Sequence, residues 1–240
     1  MSRTVILALL AAGLAAPQPA AAQAIGDSRA PSSPAERAVS LPPPLPAEVY
    51  RPRFGGHAAS GDVRRMAAWI TTSGDNRDLP FMIVDKRGAQ VFLFDPHGLV
   101  LGAAPALLGL GLGDHSVAGI GQRRLASMAP GERTTPAGRF ESALGHDLEQ
   151  DVLWIDYDAA LSLHRVITGS PGDRRRERLA SPTAVDNRVS YGCINVPASF
   201  YDTVVKPAFK SAGGIVYILP ETQTLESVFA IKGEPRRHGL

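Results

Sequence analysis

Short apolar runs separated by turn residues dominate the sequence from Leu79 to Pro220. Phe81–Asp85 and Ala89–Phe94 flank a Lys-Arg-Gly turn, a pattern that is typical of a β-hairpin. Further runs with the composition of strands lie at Asp151–Tyr157, Ala160–Ile167 and Gly214–Pro220. Many short strands and few helices predict a mainly β fold that is largely antiparallel, with a few short helices.

Helical spacing is confined to a few short segments. Gly61–Thr72 places Val63, Met66, Ala67 and Ile70 on one face, which predicts an amphipathic helix. We expect a second helix over Ala198–Ser211, with Pro207 ending or kinking it. The charged run Arg174–Arg178 is typical of a solvated face or a short helix, and Leu225–Ile231 has room for one helical turn.

The ends of the chain differ in composition from its middle. Residues 1–24 contain a basic residue, an apolar core too short to cross a bilayer, and an Ala-Gln-Ala cleavage pattern, which together indicate a signal peptide and export. Residues 25–60 are rich in Pro and Ala, as in a flexible linker. We therefore predict one catalytic domain over residues 61–220, then a polar tail over residues 221–240, with no stable membrane insertion after the signal is removed.

Composition and spacing argue against several functions. The chain is 44% hydrophobic and 20% charged with a net charge of +2, and its basic residues are interleaved with acids, so nucleic acid is not expected as a partner. The glycine-rich stretch Leu107–Gly121 has Asp114 where a dinucleotide fingerprint needs glycine. It is either a mobile loop over a groove or a plain connection. Asp114 and His115 lack metal-ligand spacing, and we predict no metal or other cofactor.

Cys193 is the only cysteine in the chain, and it follows Gly192. It cannot form an internal disulfide, and an unpaired thiol in an exported protein is a candidate reactive group. The alternative is a buried thiol that acts as a small hydrophobe. A nucleophilic thiol needs a base. Of the six histidines, His164 is the one within a predicted strand, where Ser162 and Val166 share its face.

Other nucleophilic machinery is missing from the sequence. It contains no Gly-x-Ser-x-Gly elbow and no Ser-x-x-Lys motif, so a serine nucleophile of either type is not expected. One cysteine with scattered histidines does not form a zinc site. The residues themselves therefore favour a Cys193–His164 pair.

Ser190-Tyr-Gly-Cys-Ile-Asn195 resembles the Ser/Thr-His-Gly-Cys-(Ile/Val)-(Arg/Asn) signature of L,D-transpeptidase catalytic domains, the YkuD-like family. His164 matches the upstream histidine of that family, and Thr135–Phe140 matches its Thr-Pro-x-Gly-x-Phe strand entry. The resemblance runs from about Leu79 to Pro220. It implies a β-sandwich-like catalytic fold and a location in the periplasm or cell envelope.

The sequence departs from the family pattern at three places. Tyr191 stands where the family usually has histidine, and a tyrosine cannot act as a base near neutral pH. The stretch between His164 and Cys193 is longer than in the family, and residues 170–187 account for the extra length. Arg165 also occupies a position where the family often has a small residue.

The resemblance implies acyl transfer in cell-wall crosslinking, with peptidoglycan stem peptides as partners. Cys193 would attack the carbonyl carbon of the third residue of a tetrapeptide stem and release the terminal D-alanine. His164 would accept the thiol proton and later assist the incoming amine. The backbone amides of Tyr191, Gly192 and Cys193 would form an oxyanion hole.

Two further residues are candidates for holding the substrate. Arg188 suits a bidentate grip on a carboxylate, and Asn195 could hold the substrate backbone. Either could instead be structural, and for Asn195 a local backbone-bonding role is favoured. Other functions also remain open: an L,D-carboxypeptidase or amidase-type hydrolase of the same fold, or a non-catalytic envelope-binding module. The sequence indicates no protein partner.

Overall fold

The computed structural model describes residues 51–147, 150–168, 170–229 and 231. The predicted signal peptide, the linker up to residue 50 and the tail from residue 232 lie outside these residues, so they stay predictions. Within the described residues, no helix has both the length and the apolar character that a membrane span requires.

The described residues contain ten strands in two sheets. The strands are β1 (Phe81–Asp85), β2 (Gln90–Phe94), β3 (Val100–Pro105), β4 (Leu108–Gly109), β5 (Gly138–Asp147), β6 (Gln150–Asp156), β7 (Leu161–Arg165), β8 (Arg188–Ser190), β9 (Ile194–Val196) and β10 (Gly214–Ile218). The larger sheet has the order β3-β2-β1-β10-β5-β6-β7-β9, and β4 pairs with β8. The pairs β1–β10, β7–β9 and β4–β8 are parallel, and the other five are antiparallel. The prediction of a mainly β, largely antiparallel fold is confirmed.

The helices are short and lie where the sequence predicts them. They are α1 (Gly61–Ser73), α2 (Arg175–Ala180), α3 (Ala198–Phe200), α4 (Lys206–Phe209) and α5 (Leu225–Phe229). Ser60 caps α1 by accepting a hydrogen bond from the Val63 amide at 3.3 Å, and Gly74 ends it in the left-handed conformation. A wide π-helical turn, Tyr201–Val205, joins α3 to α4. Pro207 follows this turn after Lys206, and in a regular helix its ring would crowd the carbonyl oxygen of Thr203, so the predicted kink takes the form of a π-helical turn.

The long strand β5 divides the large sheet into two halves that share one core. Its first half, from Gly138 to Ser142, pairs with β10, and its second half pairs with β6. Met82 and Val84 from one half and Leu153 and Leu163 from the other belong to a single buried cluster. The two halves therefore enclose the core in the manner of a sandwich. Each aliphatic side chain that is fully buried in this core stabilises the fold by about 1.5–3 kcal/mol.

A second apolar cluster lies on the outer face of β1, β2 and β10. Phe81 and Ile83 of β1 point into it, since alternate residues of a strand face opposite sides, and α1 and α5 cover it. The segment before α1 also contributes. The Phe54 ring meets the Phe94 ring edge-on with centroids 5.4 Å apart, and Arg53 pairs with Leu99. The last residues of the predicted linker thus pack against the domain.

Candidate active site

Parallel pairing of β7 with β9 brings the predicted nucleophile and base together. Leu163 pairs with Ile194 and His164 with Asn195, and Cys193 directly precedes β9. Leu163 points into the core, as its place on the strand predicts. His164 lies on the other face, beside Cys193, and each of the two side chains shifts the pKa of the other. The strand argument for His164 therefore matches the observed orientation.

The His164 ring is held in one tautomer by its own strand. Nδ1 lies 2.7 Å from the carbonyl oxygen of Arg165, so Nδ1 carries the proton and donates it to that oxygen. The other ring nitrogen, Nε2, is left for the thiol. Because the bond is to a backbone carbonyl oxygen, the orientation of the His164 ring does not depend on another side chain.

The electrostatics of the pair favour the ionised forms. Burial alone would raise the pKa of the Cys193 thiol, but the hydrogen bond with His164, its charge and bonds from Ser162 hold that pKa below its ordinary value. Burial would likewise lower the pKa of His164, but Cys193 raises it above the ordinary value, against a smaller lowering by the charge of Arg175. A thiolate is the nucleophilic form of cysteine, so these shifts favour reactivity.

The thiol is half-buried and has few other contacts. Ser162 Oγ donates towards Cys193 Sγ at 3.6 Å, and Sγ lies 3.5 Å from the carbonyl oxygen of Ala160. Ser162 is itself buried on β7, two residues before His164. The base and this hydroxyl thus reach the thiol from successive positions on the same strand face.

The turn that carries Cys193 is fixed by internal hydrogen bonds. Ser190 Oγ donates to the carbonyl oxygen of Cys193 at 2.6 Å and accepts from the Gly192 amide at 3.1 Å. Thr135 Oγ1 donates to the carbonyl oxygen of Gly192 at 2.7 Å. Gly192 has φ +133°, and a Cβ there would lie 2.8 Å from the carbonyl oxygen of Thr134, so this position requires glycine.

The three amides predicted to form an oxyanion hole differ in their hydrogen bonds. The Gly192 amide donates to Ser190, which differs from its predicted role as a free donor. The amides of Tyr191 and Cys193 bond to no acceptor within the described part of the chain. Two amides beside a nucleophile are the number that a serine-protease oxyanion hole uses.

A cavity of about 40 Å³ opens at Cys193. Ile120, at the end of the glycine-rich stretch, lines it together with Leu125 and Met128 of the loop that follows, and with Ala160 and Tyr191. This loop is built from three 3₁₀ turns, Ile120–Gln122, Leu125–Ser127 and Pro130–Glu132, which the sequence did not indicate. The sequence allows two alternatives for Leu107–Gly121, a loop over a groove and a plain connection; the cavity wall at Ile120 agrees with the first.

Tyr191 is held as an aromatic wall of this cavity. The Arg133 guanidinium lies over its ring at 4.1 Å from the centroid, and Arg133 Nη2 donates to the carbonyl oxygen of Met128 at 2.9 Å. The Tyr191 hydroxyl makes no hydrogen bond with any described residue. Its contribution is therefore the ring and the backbone amide.

The two predicted substrate-holding residues occupy different places. Arg188 forms an ion pair with Glu221, donates to the carbonyl oxygen of Lys86 at 3.0 Å and lines a separate cavity of about 510 Å³. This cavity is larger than the one at Cys193 and contains neither the thiol nor His164. The structure thus does not bring Arg188 to the candidate nucleophile.

Asn195 is buried beside His164 and bonds to the backbone. Its Nδ2 donates to the carbonyl oxygen of Cys193 at 3.2 Å, and its Oδ1 accepts from Arg175 Nη1 at 3.1 Å. The local role favoured for Asn195 agrees with this geometry. Arg175 was not among the predicted site residues, because in the sequence it belongs to a run of charges with no motif.

Comparison with known proteins gives matches in structure alone. No model of a known protein family matches this sequence, and no curated protein sequence matches it.

Within the described residues, no group of three or more His, Cys, Asp or Glu side chains could hold a metal ion.

Several solved structures resemble this one. The helical cell shape determining protein Pgp2 from Campylobacter jejuni shares 12% identity over 61% of this chain and 49% of its own, with a TM-score of 0.40. The L,D-transpeptidase from Mycobacterium smegmatis shares 16% identity over 58% of each chain, with a TM-score of 0.33. That from Xylanimonas cellulosilytica shares 14% over 66% of this chain and 70% of its own, with a TM-score of 0.35.

These matches are distant. This chain spans about half the length of the Pgp2 structure. Since each identity is below 25% and each TM-score below 0.5, we base the functional proposal on the geometry of the site itself.

Proposed function

We propose that this chain is a cysteine-dependent acyltransferase of the L,D-transpeptidase type, which acts on peptidoglycan stem peptides. The observation that carries the proposal is the pairing of β7 with β9, which brings His164 beside Cys193, with the thiol pKa held below its ordinary value and two nearby amides that bond to no described acceptor. A thiolate, a fixed base and an anion-stabilising site are the parts that thiol acyl transfer needs.

In the first step, the thiolate of Cys193 attacks the carbonyl carbon of the third stem residue. The carbonyl electron pair moves onto oxygen, where the amides of Tyr191 and Cys193 stabilise the charge. When the tetrahedral intermediate collapses, the C–N bond to the terminal D-alanine breaks. The proton that His164 took from the thiol passes to the departing amine, and a thioester remains on Cys193.

In the second step, an amine of a neighbouring stem attacks the thioester. His164 accepts the amine proton, the C–S bond breaks, and Cys193 regains its thiolate as the new amide forms. With water as the acceptor, the same thioester would give a carboxylate, which is the outcome expected of a carboxypeptidase or other hydrolase of this fold.

A product analysis tests this proposal. The full-length protein is incubated with a defined tetrapeptide-stem muropeptide, with Cys193→Ser as the control, and products are identified by mass. We expect release of D-alanine and crosslinked dimers from the unsubstituted protein alone. Tripeptide without dimers would favour the hydrolase alternative. No release of D-alanine would support a non-catalytic envelope-binding module.

We also propose that the chain is exported and cleaved before Ile25, which the pattern Ala22-Gln23-Ala24 supports. The mass of the protein recovered from the cell envelope tests this proposal. An intact species of residues 1–240 in that fraction would contradict it.

A further inference from the structure

The site has two different sides along the strands β7 and β9. The small cavity lined by Ala160, Tyr191 and Cys193 lies on one side of the thiol. His164 and Asn195, which pair across the two strands, lie one step further along. Beyond them comes Arg175, which bonds to Asn195. The thiol thus opens onto the small cavity, and Arg175 is connected to the backbone of Cys193 through Asn195.

On the arginine side is a cavity of about 290 Å³, which we call the arginine cavity; it is lined by Thr168, Ser170, Pro171, Arg174, Arg175, Arg176 and Glu177. Arg174, Arg175 and Arg176 all contribute to it, with Glu177 as the acidic residue of its lining. Arg174 and Arg176 are exposed, and their guanidinium groups form no ion pair or hydrogen bond with any described residue. The cavity therefore has a net positive lining with unused hydrogen-bond donors.

Arg175 connects this cavity to the reacting atoms. Its side chain is 15% exposed, its Nε donates to Asp173 at 2.9 Å and its Nη1 donates to Asn195 Oδ1 at 3.1 Å. Asn195 in turn donates to the carbonyl oxygen of Cys193. Nη2 of Arg175 has no partner among the described residues, so it can donate to a ligand in the cavity.

We propose that the arginine cavity binds a carboxylate of the second, amine-bearing substrate. This inference rests on the proposed acyl transfer and names the chemistry that selects its acceptor. The acceptor amine must approach the thioester where His164 can take its proton, and the arginine cavity is connected to His164 through Arg175, which bonds to Asn195, the residue that pairs with His164. A stem peptide ends in a carboxylate, which a guanidinium binds through paired, charge-assisted hydrogen bonds.

A binding experiment tests this inference without catalysis. In full-length Cys193→Ala protein, calorimetry measures the affinity of an amine-bearing stem peptide with a C-terminal carboxylate and of the same peptide as a carboxamide. We expect the carboxylate to bind about tenfold more tightly, a modest factor because Arg174 and Arg176 are exposed. Added salt should reduce this preference.

Variants assign the preference to the cavity. The double change Arg174→Gln with Arg176→Gln should bring the two affinities to within about twofold, because two of the three cations are lost. Arg175→Lys should weaken the preference, since lysine keeps the charge but loses the planar fork. The matched control is Arg77→Gln, an exposed arginine that pairs with Glu141. This control should keep the full preference.

Two results would overturn the inference: equal affinities for carboxylate and carboxamide in the Cys193→Ala protein, or an undiminished preference in the double variant. Failure of the proposed function would give a different result: the unsubstituted protein, incubated with the stem peptide, would form no thioester on Cys193. Binding of the peptides to the Cys193→Ala protein does not depend on that step.

Discussion

Two groups of buried polar residues in the described part of the chain, one around Lys86 and one around Cys193, differ in how fully their hydrogen bonds are made. In the first, Lys86 Nζ donates to the carbonyl oxygens of Gly113 at 2.6 Å and Thr135 at 2.9 Å, and to Asp114 Oδ1 at 2.7 Å. These bonds use all three of its hydrogens. Asp114 also accepts from the amides of residues 221–223, each at 2.8 Å.

In the second group, at Cys193, the bonds are incomplete. The amides of Tyr191 and Cys193 and the Nη2 group of Arg175 have no partner in the described part of the chain. Burial of Asp114 would raise its pKa, but its bonds to Lys86, Thr222 and the amides hold it far below its usual range. At Cys193 the ionised form instead depends mainly on one residue, His164. The complete group is suited to hold the fold, and the incomplete one is suited to bind a substrate.

The two groups meet at Thr135. Its carbonyl oxygen accepts from Lys86, and its hydroxyl donates to the carbonyl oxygen of Gly192 in the turn before Cys193. The same hydroxyl accepts from the Gly109 amide at 2.9 Å. The saturated group thus supports the reactive turn through a single buried threonine.

The largest difference is expected when each group loses its central residue. His164→Ala should lower the rate of Cys193 turnover about 10²–10⁴-fold, because the general base is lost. His164 also lowers the pKa of Cys193, so its removal should raise that pKa and move the onset of thiol alkylation to higher pH. Alkylation rates across a pH series measure this shift. The control is His146→Ala, an exposed histidine on β5, and a larger loss in this control would mean that the base is misassigned.

In the saturated group, Asp114→Ala should destabilise the fold by about 3–5 kcal/mol, since it removes the carboxylate that is hydrogen-bonded to the buried Lys86 ammonium and leaves the amides of residues 221–223 without their acceptor; Glu221 Oε1, at 3.5 Å from Lys86 Nζ, remains. Urea unfolding followed by circular dichroism gives this value. Asp158→Ala, at an exposed aspartate, is the matched control and should change stability by no more than about 0.5 kcal/mol. If both variants unfolded at the same urea concentration, the structural role of the Lys86–Asp114 pair would be refuted.

A smaller effect is expected at the turn that joins the two groups. Gly192→Ala should destabilise the fold by about 1–3 kcal/mol and slow acylation, because its Cβ would press on the Thr134 carbonyl in a backbone conformation that favours glycine. Gly172→Ala is the control, since a Cβ there meets no atom within 4 Å. Equal stability and acylation rates in the two variants would argue against a fixed turn.

The smallest effect is expected at Tyr191. Tyr191→Phe should keep acylation within about threefold, because the amide and the ring under Arg133 both remain and the lost hydroxyl bonds to no described residue. Tyr191→His should also remain active. Rates of adduct formation, followed by intact-protein mass, measure both. Loss of the adduct in Tyr191→Phe would give the hydroxyl a role that this geometry does not provide.

Much of this arrangement could be predicted from the sequence, because it depends on local pattern. The apolar runs predict the strands, and the period of two along β7 places His164 and Ser162 on the face away from the core. The proline at position 207 predicts a disturbed helix. Each of these rests on neighbours in the chain.

What could not be predicted depends on contacts between distant segments. Lys86 lies in a hairpin turn, where an exposed lysine is ordinary, and its burial is created by Asp114 and Thr135 folding over it. The Arg188 guanidinium has the chemistry to bind a substrate carboxylate. In the structure it is already paired with the carboxylate of Glu221, which lies much later in the chain. Arg175 gains its place through Asn195, and no spacing in the sequence marks that contact.

One measurement tests the central claim most directly: whether Cys193 is a reactive thiolate beside a working oxyanion hole. The full-length protein is incubated near neutral pH with a carbapenem, whose strained ring offers an acyl group to a thiolate, and intact mass with peptide mapping locates any adduct. We predict a single acyl adduct on Cys193, formed far more slowly in His164→Ala and absent in Cys193→Ala. An unmodified protein, or an adduct that persists in Cys193→Ala, would contradict the assignment of Cys193 as the nucleophile.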